Sequence, residues 1–256
     1  MTIVTLTSDF GAHDYYAATL KGAILQRNRS LHLVDITHNI KNYDIVQAAF
    51  LFKNAWHHFP EGTIHLLSIN DFSHESRAFL AIRHAGHYFV GPDNGLFWLV
   101  FGVMPEEVYE LPLLPPGNFS FTNLYAQTVG HLSSRQSIAK IGTRRRDMVQ
   151  RIALQPVTTA TQIRGSIIYI DNYDNAIVNI SRNLFEQIGG GRAFALYFKR
   201  HDPIQRLCDH YYDVPVGEIL CRFNSADCLE IAVNMGRAAT LLGLNVEDVV
   251  QVEFGE

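Results

Sequence analysis

Apolar residues in the first seventy positions recur first at strand spacing and then at helix spacing. The β-branched run over 2–7 predicts a strand, and the turn-forming residues SDFG follow it. Apolar positions over 15–26 recur at helical spacing. The next predicted elements are a strand over 31–36, a helix over 44–56 capped by Asp44, and a strand over 62–69. This β-α-β-α-β order predicts a parallel sheet with helices on its faces.

The pattern changes after about residue 105, where four prolines interrupt the chain within a short distance. A short helix is predicted around 126–133, and 156–161 is interpreted as a linker. From Gly165 onward, apolar segments follow one another closely, as is typical of an antiparallel sheet or small barrel. We therefore predict an α/β fold with an N-terminal α/β domain over 1–158, whose sheet is largely parallel, and a C-terminal antiparallel β-barrel domain over 164–256.

Composition and charge exclude several classes of function. The net charge of −4 argues against nucleic acid as a partner, and the basic run at 144–146 is typical of a solvated surface. No apolar run reaches about 18 residues and no leader-like segment opens the chain, so we expect no membrane association and a cytoplasmic location. The 3 cysteines lack CxxC spacing and the 12 histidines lack HExxH spacing, so we predict no metal site.

Polar residues follow three predicted strands of the first domain: Asp9, the segment 38–44 and the segment 70–77. Ligands of open α/β sheets bind beyond the carboxyl ends of the strands, so we hypothesise that these segments form one crevice. The alternative is that each polar residue only caps a helix or forms a turn. The chain contains no GxGxxG, GxxxxGK[ST] or GxSxG motif, which argues against dinucleotide, P-loop and serine-hydrolase sites.

Two segments of the second domain are unusually polar or rich in small residues. The first, IDNYDNAIVNIS at 170–181, has two Asp and three Asn in a strand-like setting, which indicates either a ligand site or a tight hairpin. The second, FNSADCLEIAVNMGRAA at 223–239, leads from a strand into small residues. Backbone groups exposed there suit a planar base, and a plain helix start is the alternative.

At these segments the sequence resembles the S-adenosylmethionine hydroxide adenosyltransferases, a family that also contains fluorinating and chlorinating enzymes. The matching stretches are TSDFGAHDYYAATLKG, VDITHNIKNYDIVQAAF, FPEGTIHL, FVGPDNGL, YIDNYDNAIVNI and LEIAVNMGRAATLLGL. The resemblance implies an N-terminal α/β domain, a C-terminal β-barrel and a homotrimer. It also implies that a small-molecule nucleoside binds between the first domain of one subunit and the second domain of its neighbour.

The resemblance assigns substrate-binding roles to nine residues. In the first domain, Asp9 matches the carboxylate that holds the ribose hydroxyls, Asp14 an acidic residue beside the methionine part, and Tyr43 an aromatic residue that packs on the ribose. The residues matched in the second domain are Asp171 for the methionine ammonium group, Ser225 near its carboxylate, Tyr173 and Asn175 at the adenine, and Asn234 with Met235 completing that pocket.

The reaction implied is displacement at the ribose C5′ carbon, with methionine leaving as a neutral thioether and no metal or other cofactor. Hydrolytic members position the attacking water with an Asp, an Arg and a His, and this sequence departs from them there. INDFSHESR replaces their glycine-rich turn, which leaves Asp71 and Arg77, with Asn70 and His74 beside them, as candidate catalytic residues. Ser120 stands where those members have His.

Three hypotheses follow from this departure. The first is an S-adenosyl-L-methionine hydrolase that forms adenosine and L-methionine. The second is a binding protein of the same fold that has lost turnover, because the substrate residues are kept while the water-handling residues are altered. The third is a halogenase that uses a halide in place of water.

Overall fold

The computed structural model describes residues 2–71, 78–113, 120–199 and 201–255. The chain divides into two compact units between Ala153 and Leu154. The predicted first domain extended to residue 158, slightly beyond this division. Residues Val157–Thr158 belong with the second unit because they pair with one of its strands.

The first unit alternates strands and helices along the chain. Its elements are β1 (Ile3–Ser8), α1 (Tyr16–Arg27), β2 (His32–Thr37), α2 (Ile45–Lys53), β3 (Ile64–Ser68), β4 (Phe79–His84), β5 (His87–Pro92), α3 (Leu96–Phe101), β6 (Glu107–Glu110), α4 (Ser120–Ser133) and β7 (Thr143–Arg144). Short 3₁₀ turns occupy Trp56–His58 and Ile138–Lys140. The Asp44 side chain accepts hydrogen bonds from the Val46 and Gln47 amides, which confirms the predicted cap of α2.

The sheet of the first unit has the order β2-β1-β3-β5-β4-β6-β7. The β2-β1, β1-β3 and β3-β5 pairs are parallel, whereas β4 and β6 run antiparallel to their neighbours. The predicted fold class, with its largely parallel sheet, is confirmed. In the register of β1 on β3, Ser8 lies opposite Ser68, so both strands end at the same level.

Helices cover both faces of this sheet. Leu66 of β3 packs into a core with Leu20 of α1 and Val129 of α4, whereas the neighbouring Leu67 faces a second core that contains Phe52 of α2. Every residue of β3 is buried, as expected for a central parallel strand covered on both sides.

The second unit is an antiparallel sheet. Its elements are β8 (Val157–Thr158), β9 (Gln162–Ile170), β10 (Ala176–Ser181), α5 (Arg182–Gly189), β11 (Phe194–Phe198), β12 (Ile219–Phe223), β13 (Cys228–Val233), α6 (Ala238–Leu242) and β14 (Val249–Phe254), with a 3₁₀ turn at Tyr211–Asp213. The strand order is β11-β14-β9-β10-β13-β12. Bridges from Ile204 to Leu196 and from Leu207 to Cys221 bring the two edges together, so the sheet curls into a barrel-like form.

Several elements differ from the prediction. Helix α4 begins at Ser120 and not near residue 126, because the polar residues of its first turn interrupt the apolar pattern. Part of the predicted linker at 156–161 is strand β8. Helices α3 and α5, of six and eight residues, were not predicted. Helix α6 begins at Ala238, within the segment 223–239 for which a helix start was the alternative. Among the described residues, no helix is both long and apolar enough to cross a membrane.

A pair of histidines lies within the core of the first unit. His65 is fully buried, and its ring centroid lies 5.0 Å from that of Phe89. Its Nδ1 is 2.7 Å from the Thr5 hydroxyl oxygen and its Nε2 is 3.2 Å from Nδ1 of His87. Burial, with a smaller contribution from the neighbouring His87, lowers the pKa of His65 from 6.5 to about 3.

We expect the free energy of unfolding of His65→Gln to decrease less steeply than that of the wild type as the pH falls below 6.5. Below pH 6.5 the unfolded chain takes up a proton at His65 that the folded protein refuses until about pH 3. Stability is therefore lost as the pH falls, by up to about 1.4 kcal/mol per pH unit from this group. Urea unfolding of the wild type and the variant between pH 7 and pH 4 measures the two slopes. His58→Gln, at an exposed histidine, is the control, and equal slopes in the wild type and His65→Gln would contradict the assignment.

Candidate functional site

A cavity of about 430 Å³ opens at the carboxyl ends of β1 and β3. Because Ser8 and Ser68 lie opposite each other, the residues that follow the two strands lie side by side. The predicted residues that line this cavity are Asp9, Asp14, Tyr43, Asn70 and Asp71. The hypothesis that the strand ends form one crevice is therefore confirmed for the described part of these segments.

Asp9 connects three loops at this edge of the sheet. Its Oδ2 accepts hydrogen bonds from the amides of Tyr43, at 3.0 Å, and Asn70, at 3.2 Å. Both donors have left-handed backbones, with φ of 68° at Tyr43 and 53° at Asn70. Asn tolerates this conformation, whereas Tyr adopts it only where the surroundings fix it. Asp9 is thus an organising residue as well as a carboxylate that faces the cavity.

Asp71 is one of the three carboxylates that line the cavity. The Ser68 hydroxyl donates to its Oδ2 at 2.6 Å, and the Tyr125 hydroxyl donates to its Oδ1 at 2.8 Å. Burial raises the pKa of Asp71 from 3.8 to about 7, the two hydrogen bonds oppose this rise, and the nearby Asp9 charge adds to it. A carboxyl group with this pKa exchanges a proton near neutral pH, as a general base does.

A chain of polar side chains supports the loop after β1. The Ser8 hydroxyl oxygen is 2.6 Å from Nδ1 of His38, whose Nε2 is 3.2 Å from a carboxylate oxygen of Asp35. Lys21 donates to the other oxygen of Asp35 at 2.6 Å, and the two partners lower the pKa of Asp35 against the opposing effect of burial. The His38 carbonyl also accepts from the Gly11 amide, which fixes the SDFG turn.

The second unit has its own cavity, of about 620 Å³, beside the turn between β9 and β10. Within that turn, Oδ1 of Asp171 accepts from the amides of Tyr173 and Asn175, and its Oδ2 accepts from Nδ2 of Asn175. Tyr173 and Asn175 line the cavity. The hairpin interpretation of 170–181 is therefore confirmed, and the same turn supplies residues to a cavity wall.

The turn after β13 forms another wall of this cavity. Asn234 and Met235 line it, and Met235 has a left-handed backbone with φ of 56°. The Asn234 side chain donates to the Val214 carbonyl at 2.8 Å, which ties this turn to a neighbouring segment. The Asp174 carboxylate accepts from the Thr240 amide at the start of α6 and so joins the two turns. Tyr173 and Met235 are among the most exposed side chains of the unit.

Two further predicted residues of the second unit do not line its cavity. Asp171 holds the turn together but is not a lining residue of the cavity. Ser225 lies in the turn that precedes β13, whereas Asn234 and Met235 follow the other end of that strand. At roughly 3.4 Å per residue, the length of β13 separates Ser225 from the cavity.

The structure describes one of three further residues of the first unit only by its backbone, and the other two not at all. His74 and Arg77 lie outside the described residues, so their predicted roles stay predictions. Ser120 is the first residue of α4.

The sequence did not indicate Ser68 or Tyr125, the two residues that hydrogen-bond to Asp71. Tyr125 lies 54 positions further along the chain, at an apolar position of a helix, and looks like an ordinary core residue. Tyr211 and Arg237 of the second cavity were also missed. Arg237 lies two positions after the predicted Met235 and could have been found from that segment, whereas no local motif marks Ser68, Tyr125 or Tyr211.

Two family models match most of the chain. The N-terminal domain of SAM hydroxide adenosyltransferases matches residues 4–142, and the C-terminal domain matches residues 165–251. The chain belongs to the SAM hydroxide adenosyltransferase family. Because the two models match in the expected order, the resemblance seen in the sequence motifs is confirmed.

Similar members of the SAM hydroxide adenosyltransferase family share the full length of this chain. An (R)-S-adenosyl-L-methionine hydrolase of Thermus thermophilus is 28% identical, over 95% of this chain and 96% of its own. An enzyme of the same name from Methanocaldococcus jannaschii is 26% identical, over 99% and 97%. A conserved protein of Thermotoga maritima with a known crystal structure has a TM-score of 0.87 and 25% identity, over 98% and 99%.

We expect the carboxyl group of Asp71 in this family member to titrate near pH 7. Its pKa in the folded protein exceeds the ordinary 3.8, so its contribution to stability is present at low pH and is lost as the pH rises from about 4 to about 7. Carbon-13 NMR of Asp-labelled protein measures the titration, and the signal absent from Asp71→Asn identifies the residue. A midpoint near pH 4 would contradict the effect of burial.

Proposed function

We propose that this chain is an S-adenosyl-L-methionine hydrolase that forms adenosine and L-methionine. The observation that carries the proposal is the half-buried carboxyl group of Asp71, which lines a cavity beside Asp9 and has a pKa of about 7. The family and the names of its similar members support the choice of substrate. Those names further suggest the (R) configuration at the sulfonium sulfur.

The proposed reaction is a single displacement by water. The water oxygen forms a bond to the ribose C5′ carbon while the bond from C5′ to sulfur breaks, and sulfur keeps the electron pair as a neutral thioether. The proton of the water passes to the Asp71 carboxylate and then to solvent. A sulfonium is already a good leaving group, so the chemistry requires no metal, acid or other cofactor, and the protein has only to orient and activate the water.

The first unit would hold the ribose and the reacting carbon. Oδ2 of Asp9 is engaged by two backbone amides, and among the described residues its Oδ1 has no hydrogen-bond donor. That oxygen suits the ribose hydroxyls, because a carboxylate oxygen can accept two hydrogen bonds. Tyr43, which is 70% exposed, would pack on the ribose, and Asp14 would lie beside the methionine part.

The second unit would hold the adenine. Nδ2 of Asn175 donates to Asp171, which leaves the amide oxygen of Asn175 to accept from the exocyclic amine of the base. The exposed ring of Tyr173 offers a stacking surface, and Asn234 with Met235 would close the pocket. We retain Asp171 as the predicted acceptor for the methionine ammonium group and Ser225 as a predicted residue near its carboxylate.

We further propose a homotrimer in which each site pairs the first unit of one subunit with the second unit of its neighbour. Exposed aromatic residues that line both cavities support an interface there, with Tyr16 and Tyr43 at the first and Tyr173 and Tyr211 at the second. A cytoplasmic location is part of the same proposal, and the three cysteines, which form no disulfide, are consistent with a reducing compartment.

The deciding experiment follows the products from (R)- and (S)-S-adenosyl-L-methionine, with and without chloride or fluoride and with a chelator present. We expect adenosine and methionine in equal amounts, no dependence on the chelator and no halogenated nucleoside. Tight binding without any product would overturn the hydrolase in favour of a binding protein, and a halogenated nucleoside would favour halide transfer.

Within this experiment, Asp71→Asn tests the general base. We expect a loss of kcat of roughly 100-fold to 10,000-fold with little change in KM. In the wild type, kcat/KM should fall below about pH 7, because protonated Asp71 cannot accept a proton. The corresponding fall in kcat should occur at lower pH, because the positive charge of the bound sulfonium lowers the pKa of Asp71. Asp93→Asn, at a buried carboxyl group of this unit whose pKa is also raised by burial, is the matched control.

Co-expression of two defective chains tests the shared site. Asp71→Asn damages the first unit, and Tyr173→Arg places a bulky cation in the cavity of the second. In a randomly mixed trimer, about one quarter of the sites would combine two intact units, so activity should reappear at about that level. If each site were formed within one chain, the mixture would stay as inactive as the separate variants.

A further inference from the structure

Tyr125 is a buried aromatic residue whose hydroxyl group reaches the candidate site from the far side of a core. It lies on α4 and is 1% exposed. Its ring packs edge-on against Phe79, with 5.6 Å between the centroids, while Ala126 and Val129 of the same helix are buried in the same core. Packing therefore fixes the ring, and the hydroxyl position follows from it.

The two oxygens of the Asp71 carboxyl group each receive one hydrogen bond. Tyr125 donates to Oδ1 from the helix, and Ser68 donates to Oδ2 from the end of β3. Together they fix the plane of the carboxyl group, and among the described residues they use one acceptor position on each oxygen, so that each oxygen can also accept from a water in the cavity. Burial and the Asp71 charge hold the pKa of Tyr125 well above its usual value, so the hydroxyl stays a donor when Asp71 is ionised.

We propose that Tyr125 is a positioning residue for the hydrolysis, whose hydroxyl group orients the Asp71 carboxyl group without touching the substrate. This inference rests on the proposed function, since it assigns Asp71 as the base. It concerns the hydroxyl group alone, because the ring would fill the core equally well in a Phe. It also gives α4 a role that does not require a histidine at Ser120.

The charged and titratable groups that face Asp71 come from two neighbouring elements of the described structure. Asp9, at the end of β1, raises the pKa of Asp71, and Tyr125, on α4, lowers it, as does the neutral Ser68 hydroxyl of β3. The chain continues from Asp71 into a segment with His74, Glu75 and Arg77 that lies outside the described residues. A comparison of variants cancels the contribution of that segment, because each variant keeps it.

The test compares Tyr125→Phe with Tyr109→Phe. Tyr109 is a matched control, since it is also buried in the first unit and its hydroxyl also donates to a carboxylate, that of Glu107, at 3.1 Å. For Tyr125→Phe we expect the acid limb of kcat/KM to move to higher pH, with a loss of roughly 10-fold at pH 6 if the limb moves by about one pH unit. KM should change little, and activity should recover partly at high pH. Tyr109→Phe should keep the wild-type pH profile.

A purely structural role would give a different result. Tyr125→Phe would then lower the melting temperature and leave the pH profile unchanged, which would overturn the inference. Ser68→Thr, which keeps the hydroxyl group, and Ser68→Ala, which removes it, give a second test if Tyr125→Phe does not fold. The inference predicts a displaced limb in Ser68→Ala alone, and equal profiles for the two serine variants would contradict it.

The NMR titration of Asp71 separates this inference from the proposed function. If the wild type turns over no substrate, the hydrolase proposal fails and the positioning role fails with it. If the wild type is active and the Asp71 titration is the same in Tyr125→Phe, only the inference fails. A displaced Asp71 titration together with a displaced kcat/KM limb supports both.

Discussion

The first unit depends on the two hydrogen bonds that Asp9 accepts from the backbone of Tyr43 and Asn70. These bonds join the ends of three chain segments that are far apart in sequence. They also hold two residues in left-handed conformations that L side chains seldom adopt, at a cost of about 1–3 kcal/mol for a residue such as Tyr. The cavity is thus fixed by one carboxylate before any ligand arrives, which reduces the reorganisation needed on binding.

The second unit uses the same arrangement. Asp171 accepts from two amides of its own hairpin turn and so places Tyr173 and Asn175 at the cavity wall. In both units a short acidic side chain replaces hydrogen bonds that regular secondary structure would otherwise supply. This explains why both cavities lie at turns and why their residues disfavour the strands beside them.

Asp71 differs from these two carboxylates in the donors that it meets. Asp9 and Asp171 accept from backbone amides, whereas the donors to Asp71 are the hydroxyl groups of Ser68 and Tyr125 in a buried setting. Two hydroxyl donors offset only part of the cost of burying a charge, so the pKa of Asp71 stays near 7. The partial compensation keeps the group able to gain and lose a proton.

The sequence predicted the features that depend on local pattern. The order of strands and helices, the cap at Asp44 and the convergence of Asp9 with Asn70 and Asp71 all follow from periodicity and from the geometry of parallel strands. Tyr125 could not be predicted, because its apolar neighbours make it indistinguishable from a core residue. Ser225 shows a different limit, since its predicted role near the methionine carboxylate comes from a motif match alone, and β13 lies between it and the cavity of the second unit.

The two segments in which this chain departs from the family pattern are far apart in sequence, but a side-chain hydrogen bond connects them in the structure. The resemblance implies a histidine where this chain has Ser120 and a different turn after Asn70. The structure shows that the helix beginning at Ser120 also carries Tyr125, one turn further on, and that its hydroxyl reaches the carboxyl group of that altered turn. A buried tyrosine cannot replace a histidine as a proton acceptor, because its pKa is well above neutral. It can do the complementary task of orienting the acceptor, and the proton is then left to Asp71.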